Sequence, residues 1–143
     1  MYTKIMVPVD LVHLDALERA LRTAADLATH YKIPVVYVGV TAETPTPVAH
    51  NPGEFAQKMD AFAKSQAAEH GIDTAGVGYA SHDPAVDIDK TLLAAAEQTG
   101  ADLIVMASHI PNLADHLWPS HGGHVASQAH ASVFVVRDTG ADQ

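Results

Sequence analysis

The chain contains no cysteine, so disulfide bonds and thiolate metal sites are excluded, and a reducing compartment is a compatible environment. Aromatic residues make up only 6% of the sequence although 48% of its residues are hydrophobic, so a core would be built mainly from Val, Ile, Leu and Ala. This composition suits helices packed on a parallel sheet. The scarcity of aromatic side chains argues against a surface on which nucleic-acid bases stack.

Basic residues are also scarce. Eight Lys and Arg stand against seventeen Asp and Glu, and the formal net charge is −9 at pH 7. Such a protein would repel nucleic acid and acidic membrane surfaces, so neither is an expected partner. No Lys or Arg lies between Lys90 and Arg137. An anion bound by that part of the chain would have to be held by main-chain N–H groups, hydroxyl groups, histidines or a metal ion.

Long hydrophobic runs are absent as well. The apolar run from Ile5 to Val9 stops at Asp10, so it is too short for a signal peptide or a membrane span. We therefore expect a soluble, cytoplasmic protein. Because the 143 residues include no linker-like segment, the whole chain, residues 1–143, is expected to form a single domain.

Apolar patterning predicts strands that alternate with helices. Compact apolar runs predict five strands, and apolar residues at three- and four-residue steps predict four helices. This order predicts an α/β protein, a three-layer α/β/α sandwich around an open five-stranded parallel sheet. The predicted strands are 5–9, 35–40, 73–80, 103–106 and 133–136, and the predicted helices are about 14–31, 55–70, 84–99 and 121–129.

The ligand crevice of such a sheet lies beyond the carboxyl ends of its strands. Val9 and Asp10 end the first strand, Val40 ends the second, and Ser108 and His109 follow the fourth. A carboxylate at this edge suits a ribose hydroxyl or Mg²⁺, so Asp10 is a candidate ligand. The alternative role for Asp10 is to cap the helix that follows.

A second group of candidates lies before the last predicted helix. Ser120 can cap that helix. His121 is followed by two glycines, Gly122 and Gly123, which leave the first amides of the helix open to an anion such as phosphate. The alternative is that Ser120 is only a cap and the glycines permit tight packing on the sheet. Both interpretations stay open.

Half of the ten histidines fall in this same part of the chain. They could ligate a transition metal or, beside a phosphate, gain a proton more easily. The alternative is that each is exposed or hydrogen-bonded for structural reasons. No nearby carboxylate completes a recognisable ligand set, so no metal site is predicted. The five are His109, His116, His121, His124 and His130.

Three segments together resemble the universal stress protein family, UspA-like, closest to its short single-domain bacterial members of the UspF kind. They are Ile5–Asp10, Ala101–Pro111 and Ser132–Arg137, and their spacing covers nearly the whole chain. The resemblance implies a strand order of 3-2-1-4-5 and a homodimer formed through the final strand, Val133 to Val136. It also implies ATP binding, which many members of the family show.

Carried over by position, the resemblance places Asp10 by the ribose, the main chain of Val40 by the adenine, and Ser108, Ser120 and His121 by the phosphates. The expected residues for ATP or another adenine nucleotide, with or without Mg²⁺, form one set. They are Val9, Asp10, Val40, Ser108, His109, Ser120, His121 and Gly122.

Two residues depart from the ATP-binding pattern of the family. Ile110 stands where UspF-like members tend to carry Arg, and Pro119 stands where they carry Gly before the serine. Proline lacks the N–H donor and cannot adopt a positive φ. We therefore expect a stress-response protein with a degenerate adenine-nucleotide pocket that acts as a regulatory or interaction module. The alternative is a dimeric stress-related interaction protein that does not bind ATP.

Sequence motifs give no support to catalysis. The chain has no Gly-x-x-x-x-Gly-Lys-Ser/Thr phosphate loop and no Gly-x-Ser-x-Gly nucleophile turn. No catalytic residue is predicted, and the protein is not expected to be an enzyme.

Overall fold

The structure is a computed structural model that describes residues 1–108 and 130–137. The described residues form five strands and three helices, and the predicted helix at 121–129 lies outside them. No helix in the described ranges is long and apolar enough to cross a membrane. The elements are β1 (Ile5–Pro8), α1 (Leu14–Tyr31), β2 (Val35–Ala42), α2 (Pro52–His70), β3 (Thr74–Ser81), α3 (Pro84–Thr99), β4 (Leu103–Ala107) and β5 (Ser132–Val136).

The strands form one parallel sheet in the order β3-β2-β1-β4-β5, which confirms the predicted fold class and strand order. The third strand, whose sequence alternates only loosely, pairs with β2 along its full length, from Val35 and Thr74 to Ala42 and Ser81. Pairing with β2 therefore stabilises β3 as a strand, although the local sequence pattern of β3 is weak.

Helices cover both faces of the sheet. Phe55 and Met59 of α2 lie against Gly39 of β2, and α1 lies beside α2 across a shared groove. Val38 precedes Gly39 and points to the opposite face, because side chains alternate along a strand, and it lines a cavity together with Leu92 of α3. This arrangement follows from right-handed crossovers between parallel strands.

The helix α2 begins earlier than its apolar pattern predicts. The apolar pattern predicts a start at about residue 55, whereas in the structure Asn51 caps the helix and its side chain accepts a hydrogen bond of 2.8 Å from Glu54 N. Pro52 and Gly53 form the first turn. Proline suits this position because the first N–H groups of a helix have no intrahelical partner.

Candidate ligand-binding site

A cavity of about 260 Å³ opens at the carboxyl ends of β1 and β2. Most of its wall is apolar, and the side chains of Asp10, Thr41 and Thr46 are its polar exceptions. The wall combines the two strand ends, the loop between β2 and α2, and the first turns of α2 and α3. Its residues are Pro8 to Val12, Val38, Val40 to Ala42, Thr46 to Val48, Phe55, Pro84, Ile88 and Leu92.

Three of the predicted site residues, Val9, Asp10 and Val40, lie in this wall. The structure therefore brings together residues that are thirty positions apart in the sequence. They meet because β1 and β2 are neighbours in the sheet and both strands end at the same edge.

Val40 lies two residues beyond Val38, the last residue of β2 that pairs with β1. The last paired residues of the two strands are Pro8 and Val38, and Val9 N donates a 2.8 Å hydrogen bond to Val38 O. In a parallel ladder every second residue points its N–H and C=O groups to the same side. Val40 therefore directs its main-chain donor and acceptor toward the end of β1, where the cavity lies.

Asp10 holds the turn between β1 and α1. Its Oδ1 accepts a 2.9 Å hydrogen bond from Val12 N, and its Oδ2 lies 2.8 Å from His13 Nδ1. The residue before α1 is His13, whose side chain makes no capping hydrogen bond. Each carboxylate oxygen can accept a second hydrogen bond, so Asp10 keeps capacity for a ligand hydroxyl. The pairing of Asp10 with His13 was not predicted, although the three-residue spacing is a visible signal.

The β2–α2 loop closes the side of the cavity next to α2. Thr46 Oγ1 accepts hydrogen bonds from Val48 N (3.2 Å) and Ala49 N (3.1 Å), and Thr46 N donates to Ala49 O (2.8 Å). The Lys58 ammonium of α2 donates to Val48 O. The loop is thus folded on itself and tied to α2. Its role in the wall was missed, because the sequence identifies it only as a proline-containing loop.

Charged side chains stabilise the base of this loop. His50 Nδ1 lies 3.1 Å from Glu54 Oε2 at the start of α2. This hydrogen bond is the main cause that lowers the pKa of Glu54, and the nearby Lys58 ammonium acts in the same direction. Glu54 also lies in the first turn of α2, where a negative charge is favourable.

Ser108 lies at the end of β4, outside the wall of this cavity. Its main-chain N–H donates a 2.8 Å hydrogen bond to Val136 O, so that group is used within the sheet. The hydroxyl group is the remaining candidate donor. The other predicted residues, His109, Ser120, His121 and Gly122, lie outside the described residues, as do Ile110 and Pro119. Their assignments stay predictions.

In the described ranges, no group of three or more His, Asp or Glu side chains is placed to hold a metal ion. Of the five clustered histidines, only His130 belongs to these ranges.

Comparison with protein families finds one match over most of the chain. The family model described as "Universal stress protein family" matches residues 1–137. Comparison with curated proteins finds no match.

Solved structures show the same fold at low sequence identity. The universal stress protein UspA from Lactobacillus plantarum is 23% identical, with a TM-score of 0.68 over 95% of this chain and 98% of that one. A universal stress protein from Archaeoglobus fulgidus, solved in complex with dAMP, is 23% identical, with a TM-score of 0.62 over 94% and 97% of the two chains. A universal stress protein solved in complex with cAMP is 18% identical, with a TM-score of 0.68 over 94% and 97%.

Proposed function

Since this chain belongs to the universal stress protein family, we propose that it is a cytoplasmic stress-response protein that binds an adenine nucleotide and acts as a regulatory or interaction module. In this proposal the protein is not an enzyme, and nucleotide occupancy changes its contacts with other molecules. ATP, with or without Mg²⁺, is the nucleotide that the family resemblance implies.

The cavity at the ends of β1 and β2 carries the proposal. Its apolar wall suits the flat face of a purine, and the Val40 main chain offers a donor and an acceptor beside it. Asp10 lies in the turn between β1 and α1 and lines the cavity, where it can accept a hydrogen bond from a ribose hydroxyl. Two universal stress proteins of the same fold, solved with dAMP and with cAMP, support an adenine-containing ligand for this chain.

Filling the cavity tests the proposal. Ile88 of α3 lies in the wall, and Ile88→Trp would place an indole where the purine is expected. Titration calorimetry with AMP as the probe should then show at least a tenfold loss of affinity. Val86→Trp is the matched control, because Val86 lies on the same helix but is 74% exposed. Equal AMP binding by Ile88→Trp and the wild type, with both proteins folded, would exclude this cavity as the nucleotide site.

A second candidate function is a dimeric interaction protein that does not bind ATP, and a different observation favours the dimer on which it depends. Phe134 and Val135 on the edge strand β5 are 44% and 39% exposed. Exposed apolar residues on an unpaired edge are typical of a strand that pairs with a second chain. The homodimer through Val133 to Val136 is compatible with nucleotide binding, so the two proposals are tested separately.

A further inference from the structure

We infer that the hydroxyl group of Thr41 recognises the base of the nucleotide, where it accepts a hydrogen bond from the 6-amino group of adenine. This inference rests on the proposed function, because it concerns the ligand of the same cavity. Thr41 lies near the end of β2 and lines the wall.

Among the described residues, three polar side chains line the cavity, and two of them already make hydrogen bonds within the protein. The Asp10 carboxylate holds the turn before α1. The Thr46 hydroxyl accepts hydrogen bonds from two main-chain N–H groups of its own loop and donates one of 3.3 Å to Ala49 O. The third is Thr41, whose hydroxyl has no hydrogen-bond partner in the described part of the chain.

The Thr41 side chain is almost fully covered, since only 7% of the residue is exposed. A hydroxyl group that is buried without a hydrogen bond is unfavourable. A ligand in the cavity would complete the covering of this group. A ligand with no polar group at this position would therefore leave the hydroxyl unpaired, whereas a ligand with a donor or an acceptor there would satisfy it.

The order of the strands places Thr41 beside the base rather than the sugar. Asp10 follows β1, and the neighbouring strand is β2, whose Val40 main chain faces β1. Thr41 comes next and is paired with Ala80 of β3, on the far side of β2. A nucleotide with its ribose at Asp10 and its base at Val40 therefore directs the far edge of the base toward Thr41.

The side chain of Thr41 points to the face of the sheet that α2 covers. Gly39, two residues earlier on β2, lies against Phe55 and Met59 of α2, and side chains two residues apart share a face. Phe55 also lines the cavity. The Thr41 hydroxyl therefore approaches the base from the side of α2, a different direction from that of the Val40 main chain.

A count of donors and acceptors identifies the group on the base. The edge of adenine far from the sugar carries a ring nitrogen that accepts a hydrogen bond and an amino group with two hydrogens. The Val40 main chain supplies one donor and one acceptor, which match the ring nitrogen and one amino hydrogen. The second amino hydrogen needs another acceptor, and Thr41 Oγ1 is available for it.

Thr41→Val tests this inference, because valine has nearly the shape of threonine and lacks the hydroxyl. Titration calorimetry uses the full chain, freed of any copurified nucleotide. We expect AMP affinity to fall by about tenfold. Adenosine affinity should fall by the same factor, because the contact is with the base. Thr41→Ser is the matched control: it keeps the hydroxyl and should bind AMP more tightly than Thr41→Val does.

Purine riboside, which lacks the 6-amino group, tests which ligand atom is contacted. Thr41→Val and the wild type should bind purine riboside equally, because this ligand has no amino hydrogen to donate. Urea denaturation of the unliganded proteins provides a readout of a structural role. Thr41→Val should be at least as stable as the wild type, because the hydroxyl that it removes has no partner in the described fold.

The outcomes separate this inference from the proposed function. If the wild type binds AMP and Thr41→Val binds it equally, the role of Thr41 is wrong and the proposed nucleotide site stands. An equal loss for AMP and purine riboside would show that the hydroxyl contacts another part of the ligand, and a less stable Thr41→Val would assign it a structural role; either result contradicts the inference. If the wild type binds neither AMP nor adenosine, both proposals fail.

Discussion

At the scale of single residues, Asp102 anchors the start of the chain to the sheet. Its carboxylate accepts hydrogen bonds from Thr3 N (3.0 Å), Thr3 Oγ1 (3.0 Å) and Lys4 N (3.1 Å). Partial burial raises the pKa of Asp102, but these hydrogen bonds outweigh it, so the pKa lies below its usual value. The charged form of Asp102 therefore stabilises the folded protein.

Replacing this carboxylate should produce a pH-dependent loss of stability. A lowered pKa in the folded state means that the stabilisation is present above the unfolded-state pKa of about 3.9 and is lost as the pH falls through the folded value. We expect Asp102→Asn to lower the free energy of unfolding by about 1 kcal/mol at pH 7, measured by urea denaturation. The difference from wild type should shrink below about pH 4.

Asp26→Asn is the control, because it removes the same charge from an exposed position on α1. A loss in Asp102→Asn that is the same at pH 3 and pH 7 would show that the charge of Asp102 is not what stabilises the N-terminal residues.

At the scale of secondary-structure elements, small residues let α2 lie directly on the sheet. A Cβ atom on Gly76 of β3 would lie 2.2 Å from Met59 O, which is main chain of α2. A Cβ atom on Gly78 would lie 2.8 Å from Phe55 Cδ2, which is a side-chain atom. Because Phe55 also lines the cavity, the distance between α2 and β3 affects the candidate site.

The two glycines should respond differently to alanine. In Gly76→Ala the methyl group meets main chain, so α2 must shift, and we expect a loss of about 3 kcal/mol in the free energy of unfolding. In Gly78→Ala the ring of Phe55 can rotate away, so the loss should be smaller, about 1 kcal/mol. Urea denaturation of both variants measures the difference. Equal losses would mean that α2 has room to move as a unit.

At the scale of the whole molecule, β5 forms one edge of the sheet, and no strand among the described residues pairs with its outer side. Ser132 N donates to Asp102 O, and Val136 O accepts from Ser108 N, so these even-numbered residues point their main-chain groups to β4. By the alternation of a parallel ladder, Val133 and Val135 point theirs away from β4. These groups are the ones that a second chain would pair with.

This geometry sharpens the test of the proposed homodimer. Val135→Pro removes an outward N–H donor without removing a hydrogen bond between β4 and β5, so we expect sedimentation to show a monomer. Val135→Ala keeps the donor and should remain dimeric. A dimer that survives Val135→Pro would show that the contact between protomers lies elsewhere.

The local pattern of the sequence was sufficient for the order of the five strands and the first three helices, because burial imposes a period of 2 on strands and 3.6 on helices. The resemblance to a known family supplied the strand order. Strand ends also predicted that Val9, Asp10 and Val40 lie together at the carboxyl edge of the sheet, where ligand crevices form, and all three line the cavity there. These predictions need no knowledge of distant contacts.

Only the tertiary structure decided how the cavity is built. The register stops β1 at Pro8 and lets β2 run on to Ala42, which leaves the Val40 main chain facing the cavity. The part of the wall that Ile88 and the loop at Thr46 to Val48 form comes from elements distant in sequence from β1. Register, crossovers and helix placement bring such residues together, and no local period in the sequence records these long-range contacts.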